Sequence, residues 1–539
     1  MSHSADDLLQ QPRADRHGDL VQALIDPACY PHPVRGVEHI ETHISDVFLT
    51  GPYAYKLKKP LDLGFLDFST LEKRRFYCEE ELRLNRRLAP DLYLEVVPLT
   101  GLPAAPRLRG EGEPFEYAVK MREFGQAGIL ERVLARGELT SAHADEAAEL
   151  VAGFHATLSP APADSPYGSA ESITAPALQN FEQLAPLIPN EREALIKLRQ
   201  WTQEQHAELR GVFEQRRRDG FVRECHGDLH LGNMVLIDGR VRVFDCIEFN
   251  PLLRWIDVIN ETAFLTMDLM QRRRRDLAFR FLNRYLEVSG DYGGVRLLRY
   301  YMVYRALVRA KVAALRAAQD DVDPASLPGL RVKCSAHLAL ASELVNTTCC
   351  PLVILHGLSG SGKTSVSQVV LEAVGALRVR SDIERKRLHG LSPTEHTGSA
   401  VGRGIYTDAA SAATYDRLAE VAARIVEARF PALVDATFLQ RAERQRFRAL
   451  AERLGVPFAI LHTEASETEL RRRIKQRARE AIDASEATDA VLDRQLRQQE
   501  PFDNGELAST WTVDTRRMNE RDIAEQARQR LSIERTLSH

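Results

Sequence analysis

The sequence predicts two domains of different class: an α+β domain over residues 1–346, then an α/β domain with a parallel sheet over residues 347–539. Three observations carry that division. The chain has 539 residues, 44% hydrophobic and 27% charged, which is globular composition and too long for one typical domain. Before Asn346 the segments read as strands, one helix, more strands and then mostly helix. After it, short apolar runs at 352–356, 377–380, 432–434 and 458–461 alternate with amphipathic helices. The third observation is Gly357-Leu358-Ser359-Gly360-Ser361-Gly362-Lys363-Thr364, a complete G-x-x-x-x-G-K-[ST] directly behind the first of those runs.

Composition removes several function classes. A formal net charge of -4 supplies no global field to draw in nucleic acid or an anionic membrane. No apolar run approaches the roughly 20 residues that span a bilayer. The opening MSHSADDLLQQPRAD lacks a signal peptide's apolar stretch, so a cytoplasmic protein is expected. Seven scattered cysteines without a C-x-x-C make neither a disulfide framework nor a zinc site. The boundary is placed near Asn346. A helical run over 300–318 ends in AAQDDVDPASLPGL, read as a loop, and a further helix over 332–345 precedes the strand PLVILHG.

In the C-terminal region the glycines let backbone N–H groups turn inward around phosphates. The following helix, with Val366, Val369, Val370, Ala373 and Val374 in one stripe, adds its positive dipole end. Lys363 is expected to neutralise β- and γ-phosphates and the Thr364 hydroxyl to hold Mg²⁺. Gly357, Ser359, Gly360, Ser361, Gly362 and Ser365 complete the expected nucleotide contacts. Asp382 closes the strand in LRVRSDIERKRL, at the sheet edge where ligands bind in open α/β folds. Asp435 ends the strand in PALVDATF, the position of a magnesium-ordering acid. Each of these acids also fits a helix N-cap. Arg473 and Arg477, four apart in ELRRRIKQRAR, share a helix face that reads either as a lid over phosphates or as a solvated charge face.

The pattern S-D-x-x-R-K, V-D-A-T-F and R-x-x-x-R resembles the small P-loop kinases of the zeta-toxin, gluconate-kinase and polynucleotide-kinase-like group. That resemblance implies Asp382 and Arg385 near the acceptor, Asp435 near Mg²⁺, and Arg473 and Arg477 in the lid.

The N-terminal region holds a second motif, CHGDLHLGNMVLIDGRVRVFDCIEF. His226, Asp228 and Asn233 form H-x-D-x-x-x-x-N, and Asp245 follows a hairpin of 234–237 and 241–244 that turns at Asp238-Gly239. Asp228 is placed to accept the proton of an attacking hydroxyl, and Asn233 with Asp245 to hold magnesium on a triphosphate. Upstream, VFLTGPYAYKLK reads as a hairpin around Gly51-Pro52. Lys56 and Lys58 fall on the same strand face, so spacing does not choose between them. In RRFYCEEELRLNRRLAP, Tyr77, Cys78, Glu81, Leu84 and Leu88 share one helix face, while Glu79 and Glu80 point away. A carboxylate on that buried stripe needs a cation, which makes Glu81 the expected partner of the triphosphate lysine.

This region resembles the aminoglycoside phosphotransferase and choline-kinase branch of the protein-kinase-like fold over roughly residues 35–345, with H-G-D in its catalytic loop. The resemblance implies a bilobal domain, ATP and Mg²⁺ as cofactors, and His226 and Asp257 bracing the catalytic loop. Ala54-Tyr55-Lys56 matches the branch's A-x-K, which favours Lys56. No G-x-G-x-x-G precedes that strand. THIS (42–45) stands in its place, and the branch's serine-containing loop implies a phosphate contact for Ser45. After Asp245 the chain reads Cys-Ile-Glu where protein kinases have Phe-Gly. The full arrangement, an α+β protein-kinase-like bilobal domain followed by an α/β P-loop NTPase domain, resembles bacterial bifunctional aminoglycoside phosphotransferase/ATP-binding proteins.

The basic run 272–275, His155 and the arginines Arg305, Arg309 and Arg316 read as helix surface or packed core. The sequence therefore predicts a phosphotransferase with two ATP–Mg²⁺ sites and a small hydroxylated acceptor. Its rivals are a nucleotide-binding regulator without productive transfer and a nucleic-acid end kinase. Residues 471–477 have no aromatic neighbours in sequence, which weighs against the nucleic-acid reading. Oligomeric state is not readable.

Overall fold

The computed structural model describes residues 13–64, 66–319, 322–346, 350–392, 395, 404–480 and 488–531. Its contacts divide into two compact units: residues 1–139, 157–168 and 220–261 in one, and 140–156, 169–219 and 262–539 in the other. This division does not follow the single boundary near Asn346. The middle and C-terminal helices of the first region group with the parallel sheet.

The first unit is built on a six-stranded antiparallel sheet of order β1-β2-β3-β6-β4-β5. Its strands are β1 (Glu38–Glu41), β2 (Ser45–Leu49), β3 (Tyr53–Lys58), β4 (Tyr93–Leu102), β5 (Ala105–Leu108) and β6 (Glu116–Arg122). The expected hairpin around Gly51-Pro52 is the β2–β3 pair, with Val47 opposite Lys56. Helix α1 (Arg13–Ala23) precedes the sheet. Helix α2 (Leu71–Asn85) starts at an N-cap in which Thr70 accepts from the Lys73 N–H, and it buries Cys78, Glu81 and Leu84. The short α3 (Leu130–Ala135) follows. Then β7 (Val222–Glu224) pairs with β10 (Trp255–Asp257), and β8 (Met234–Ile237) with β9 (Arg240–Val243). The β8–β9 turn holds Asp238 and Gly239 at φ +51° and +72°, the left-handed pair that a two-residue hairpin requires.

The second unit combines helices with a parallel sheet. The helices are α4 (Ser141–Thr157, of which Thr157 falls in the first unit), α5 (Ala170–Leu187), α6 (Arg192–Arg218), α7 (Val258–Gln271, entering this unit at Thr262), α8 (Arg275–Ser289), α9 (Val295–Ala317) and α10 (Leu327–Val345). Helix α10 begins inside the segment expected to be loop. Pro328 lies in its first turn, where a missing N–H costs nothing. The sheet is wholly parallel, of order β12-β13-β11-β14-β15. Four of its strands, β11 (Leu352–His356), β12 (Leu377–Arg380), β13 (Ala432–Asp435) and β14 (Phe458–Glu464), stand where the apolar runs predict them. The edge strand β15 (Thr510–Asp514) was not expected. Around them run α11 (Lys363–Val374), α12 (Ser381–Leu388), α13 (Asp408–Glu427), α14 (Arg441–Leu454), α15 (Glu467–Glu480), α16 (Asp489–Gln498) and α17 (Glu520–Arg530). Among the described residues no helix is long and apolar enough to cross a membrane.

One buried ion pair pins the C-terminal segment to this sheet. Arg444 of α14 donates through Nε and Nη2 to the two oxygens of Glu506 at 2.7 and 3.0 Å, and through Nη1 to the Phe438 and Leu439 carbonyls at 3.1 Å. Both side chains are essentially without solvent contact. Arg444→Met is therefore expected to lower unfolding free energy by about 3–5 kcal/mol, because it strands a buried carboxylate. Urea denaturation measures it, and Arg444→Met/Glu506→Gln should recover part of the loss.

Candidate functional site

In the first unit the residues of the H-x-D-x-x-x-x-N motif lie close together. The strand β7 delivers the chain into His226-Gly227-Asp228. Gly227 sits at φ +90°, and a Cβ there would stand 2.8 Å from the Leu253 carbonyl oxygen, so only glycine fits. Its N–H donates to Glu261 Oε2 at 2.7 Å. His226 is fully buried, with Nε2 2.9 Å from the Phe244 carbonyl oxygen. Burial holds its imidazole below the ordinary histidine range. Asn233 donates to the Asp228 carbonyl at 3.0 Å and to Asp228 Oδ2 at 2.9 Å. The Asp228 side chain keeps 34% of its exposure. Asp257 is buried and accepts from the Ile259 N–H at 2.9 Å.

The Asp245 backbone is left-handed, at φ +64°, and its N–H donates to the Tyr93 hydroxyl at 3.1 Å. Its carboxylate meets Lys56 Nζ at 2.5 Å, and Lys56 Nζ stands 2.9 Å from Glu81 Oε1. Lys58 donates to Glu81 Oε2 at 2.7 Å and makes a second ion pair with Glu248. Burial alone would lower the Lys56 amine, yet Asp245, Glu81 and Glu248 hold it well above the usual lysine range. Burial likewise pushes Glu81 up, but the two lysines outweigh it and bring the carboxyl down to about 2. Glu248 is raised, by burial first and by Glu81 next. Lys56 therefore joins Glu81 to a half-exposed acid, whereas Lys58 is closed in by Glu81 and Glu248. Ser45, expected at a phosphate, is fully buried opposite Lys58 in the β2–β3 register, and its hydroxyl has no hydrogen-bond partner. His230 was not anticipated although it lies inside the motif: its Nε2 is 3.3 Å from Asp228 Oδ2, and its Nδ1 accepts from the Gly232 N–H at 3.0 Å.

In the second unit, Gly357, Gly360 and Gly362 adopt φ of +151°, +82° and +93°. A Cβ on Gly360 would stand 2.9 Å from the Leu470 carbonyl oxygen of α15. Thr364 Oγ1 donates to Asp435 Oδ2 at 3.0 Å, which joins the loop to the end of β13. Lys363 Nζ donates to the Gly357 and Leu358 carbonyls at 2.8 and 2.9 Å. Ser361 Oγ pairs with Thr463 Oγ1 at 2.7 Å, the Ser359 N–H donates to Gln495 Oε1 at 2.8 Å, and Ser365 is exposed. Arg473 reaches the loop: Nη1 donates to Thr515 Oγ1 at 2.9 Å and lies 3.4 Å from the Gly360 carbonyl oxygen. Arg477 lies outside the residues whose side chains are described.

One placement differs from expectation. β12 ends at Arg380, so Asp382 lies in the first turn of α12 instead of closing the strand. Arg385 is buried, and its Nη1 donates to the Ile405 carbonyl at 3.1 Å and to Ser411 Oγ at 3.3 Å, tying it to segment 405–411. Gln495 and Thr515 carry no sequence signal, since only tertiary contact brings them to the loop.

The model of the Phosphotransferase enzyme family matches residues 74–298, and that of the AAA domain matches residues 352–502. The uncharacterized proteins Rv2004c of Mycobacterium tuberculosis and Mb2027c of Mycobacterium bovis are each 30% identical to this chain over 438 residues, covering 80% of it and 84% of the relative. The chain belongs to their family. In this chain a phosphotransferase-family, kinase-like domain precedes a P-loop domain. Among solved structures, a gluconokinase from Sinorhizobium meliloti 1021 is 24% identical, covers 34% of this chain and 91% of its own, and has a TM-score of 0.25. A choline/ethanolamine kinase family protein from Mesorhizobium loti is 15% identical, covers 62% and 100%, and has a TM-score of 0.30.

The P-loop strand carries a pH dependence. His356, at the end of β11, is buried with Nδ1 2.9 Å from His462 Nδ1 and no partner on Nε2. Burial first, then His462, Arg444 and Lys363, lower it from 6.5 to about 3. Between those values the unfolded chain binds the proton and the folded one does not, so stability is lost as pH falls below about 6.5. The loss attributable to this group is about 1.4 kcal/mol per pH unit. Urea unfolding at pH 7, 6 and 5 should show the dependence steepening toward that slope, and His356→Phe should reduce it.

Proposed function

We propose that the chain is a bifunctional ATP-dependent phosphotransferase with two separate ATP–Mg²⁺ sites, each acting on the hydroxyl of a small acceptor. The observation that carries this reading is the junction at Lys56, where Glu81 and the half-exposed Asp245 meet one lysine in the unit that also holds Asp228 and Asn233. A lysine held fully charged fits a triphosphate, and carboxylates such as Asp245 with an amide such as Asn233 are donor types that a hard divalent cation takes. Bound magnesium ATP supplies the transferable phosphoryl group.

Asp228 is assigned the acceptor's proton, with Asn233 fixing its carboxylate and His230 lying beside it. Lys56, oriented by Glu81, positions phosphate, and Asn233 with Asp245 holds the cation. His226 and Asp257 support the loop. At the second site the glycine loop cradles phosphate, Lys363 neutralises it, Thr364 and Asp435 hold the cation, Arg473 closes over the loop and Asp382 faces the acceptor. The two sites are proposed to belong to sequence domains 1–346 and 347–539, in a cytoplasmic protein.

The test is ATP consumption by the full chain against a panel of hydroxylated metabolites and aminoglycosides, with Asp228→Asn and Lys363→Ala alongside. Loss of a positioned base is worth about 10²–10⁴-fold, so Asp228→Asn should abolish turnover stimulated by one acceptor class and spare the other. Lys363→Ala should do the converse. Tight ATP binding with no acceptor-stimulated turnover would instead favour a nucleotide-dependent regulator.

A further inference from the structure

The edge of the parallel sheet next to the P-loop is closed by side chains from helices that precede it in the chain. β12 lies at the end of the strand order, and an edge strand presents unpaired N–H and C=O groups. Asn283 of α8 pairs with it as a strand would. Its Nδ2 donates to the Ala376 carbonyl at 2.9 Å, and its Oδ1 accepts from the Arg378 N–H at 2.7 Å. The Tyr292 hydroxyl, just before α9, donates to the Arg378 carbonyl at 3.0 Å. Asn283 and Tyr292 are both buried, so these bonds form away from water.

One turn beyond Asn283 on the same helix face stands Glu287, also buried. Its Oε1 accepts from Arg378 Nη2 at 2.8 Å and from Nε at 3.2 Å. Arg380 Nη1 lies 3.9 Å from Glu287 Oε2, and its Nε lies 4.0 Å from Asp435 Oδ2. The remaining nitrogen of Arg378, Nη1, donates to Ser367 Oγ at 3.0 Å and to the Thr364 carbonyl at 3.2 Å. Ser367 Oγ lies 3.5 Å from Asp435 Oδ2, the same oxygen that accepts from Thr364 Oγ1. A continuous set of charge-assisted contacts thus runs from α8 to the Thr364–Asp435 pair. Arg378, Arg380 and Arg284 hold the Glu287 carboxyl below its usual range against the opposing effect of burial.

We infer that Glu287 is a positioning residue for the magnesium-binding pair of the P-loop site. The inference rests on the reading of Thr364 and Asp435 as that pair. Its physical basis is twofold. Glu287 orients the Arg378 fork that grips the first turn of α11, and it supplies negative charge facing Arg378 and Arg380, the second of which stands 4.0 Å from Asp435. With Glu287 neutral, Arg378 would lose its buried counter-ion and add net positive charge in a poorly solvated interior, which opposes a divalent cation at Asp435.

The test is amide hydrogen exchange on the full chain, read at peptides covering 357–368 and 376–380. It is run first without nucleotide and then at fixed ATP across a Mg²⁺ titration. Glu287→Gln is expected to speed exchange at 364–368 without nucleotide. It is also expected to raise the Mg²⁺ concentration for half-maximal protection by about tenfold, the ratio that accompanies about 1.4 kcal/mol. Glu372→Gln is the control. It breaks another link from α8 to α11, the Arg280–Glu372 pair at 2.9 Å, without touching the route to Asp435. It should leave the Mg²⁺ midpoint in place. The inference is overturned if Glu287→Gln exchanges like the parent, or if both variants move the midpoint equally. Should Glu287→Gln not fold, Glu287→Asp keeps the charge, shortens its reach to Arg378 and is read on the same scale. If the parent chain gains no protection from ATP at any Mg²⁺ concentration, the proposed P-loop activity falls. The nucleotide-free comparison then still decides whether Glu287 orders the loop.

Discussion

Glu81 is a carboxylate with no solvent contact on a helix face that must pack against a sheet, and most of what is particular about the first unit follows from neutralising it. Removing such a group from water costs several kcal/mol unless cations and hydrogen bonds replace the solvent. The sheet answers with two lysines. Lys56 and Lys58 are two residues apart on β3, and both reach it. One cation would suffice for neutrality, and the second changes what the first is able to do. Lys58 spends its charge on Glu81 and Glu248, enclosed with them, so Lys56 is shared between Glu81 and an acid that still meets water. A lysine whose partner is half exposed is available to a ligand in a way that its enclosed neighbour is not. That asymmetry is the structural ground for favouring Lys56, which the shared strand face alone did not supply.

The same constraint recurs in the second unit with arginine in place of lysine. Arg216 with Asp291, Arg378 with Glu287 and Arg444 with Glu506 are ion pairs buried on both sides. Arginine suits these places because its planar fork satisfies a carboxylate and nearby carbonyls together. Each pair joins segments far apart in sequence, so each fixes a tertiary relation that apolar packing alone leaves less specified. Arg378 shows the economy of the fork: two nitrogens face Glu287 and the third holds the start of the helix behind the P-loop.

Signals with a short period were legible in the sequence. The four apolar runs became β11 to β14, the Asp238-Gly239 turn formed the β8–β9 hairpin, and the helical stripe placed Glu81 in the interior. Both motifs folded into local clusters because their residues are near neighbours in the chain: Asp228 with Asn233, and the glycine loop leading into Thr364. What the sequence did not reveal depends on distance along the chain. β15 alternates polar and apolar residues in TWTVD, with Trp511 and Val513 its apolar positions, and its pairing with β14 is a long-range contact. Gln495 and Thr515 reach the loop from 136 and 154 residues away. Asp382 was misplaced by a smaller margin: β12 is short and the helix begins at Ser381, so the acid falls within the helix's first turn.

The division of the chain into compact units has the same origin. Family resemblance is inherited along the sequence and gives two consecutive ranges, 74–298 and 352–502. Compactness is decided by which unpaired groups must be covered. A parallel sheet that ends in β12 leaves a row of backbone donors and acceptors to satisfy, and among the described residues no further strand is paired there. The Asn283 amide of α8 and, just past that helix, the Tyr292 phenol satisfy them, while the Glu287 carboxylate of the same helix pairs with the Arg378 side chain. Once α8 is so committed, the helices packed with it belong with the sheet whatever their sequence ancestry. A cut at residue 346 would expose the edge of β12 and leave the buried Arg378 without its counter-ion. The physical module around the P-loop therefore begins before the P-loop domain does in sequence.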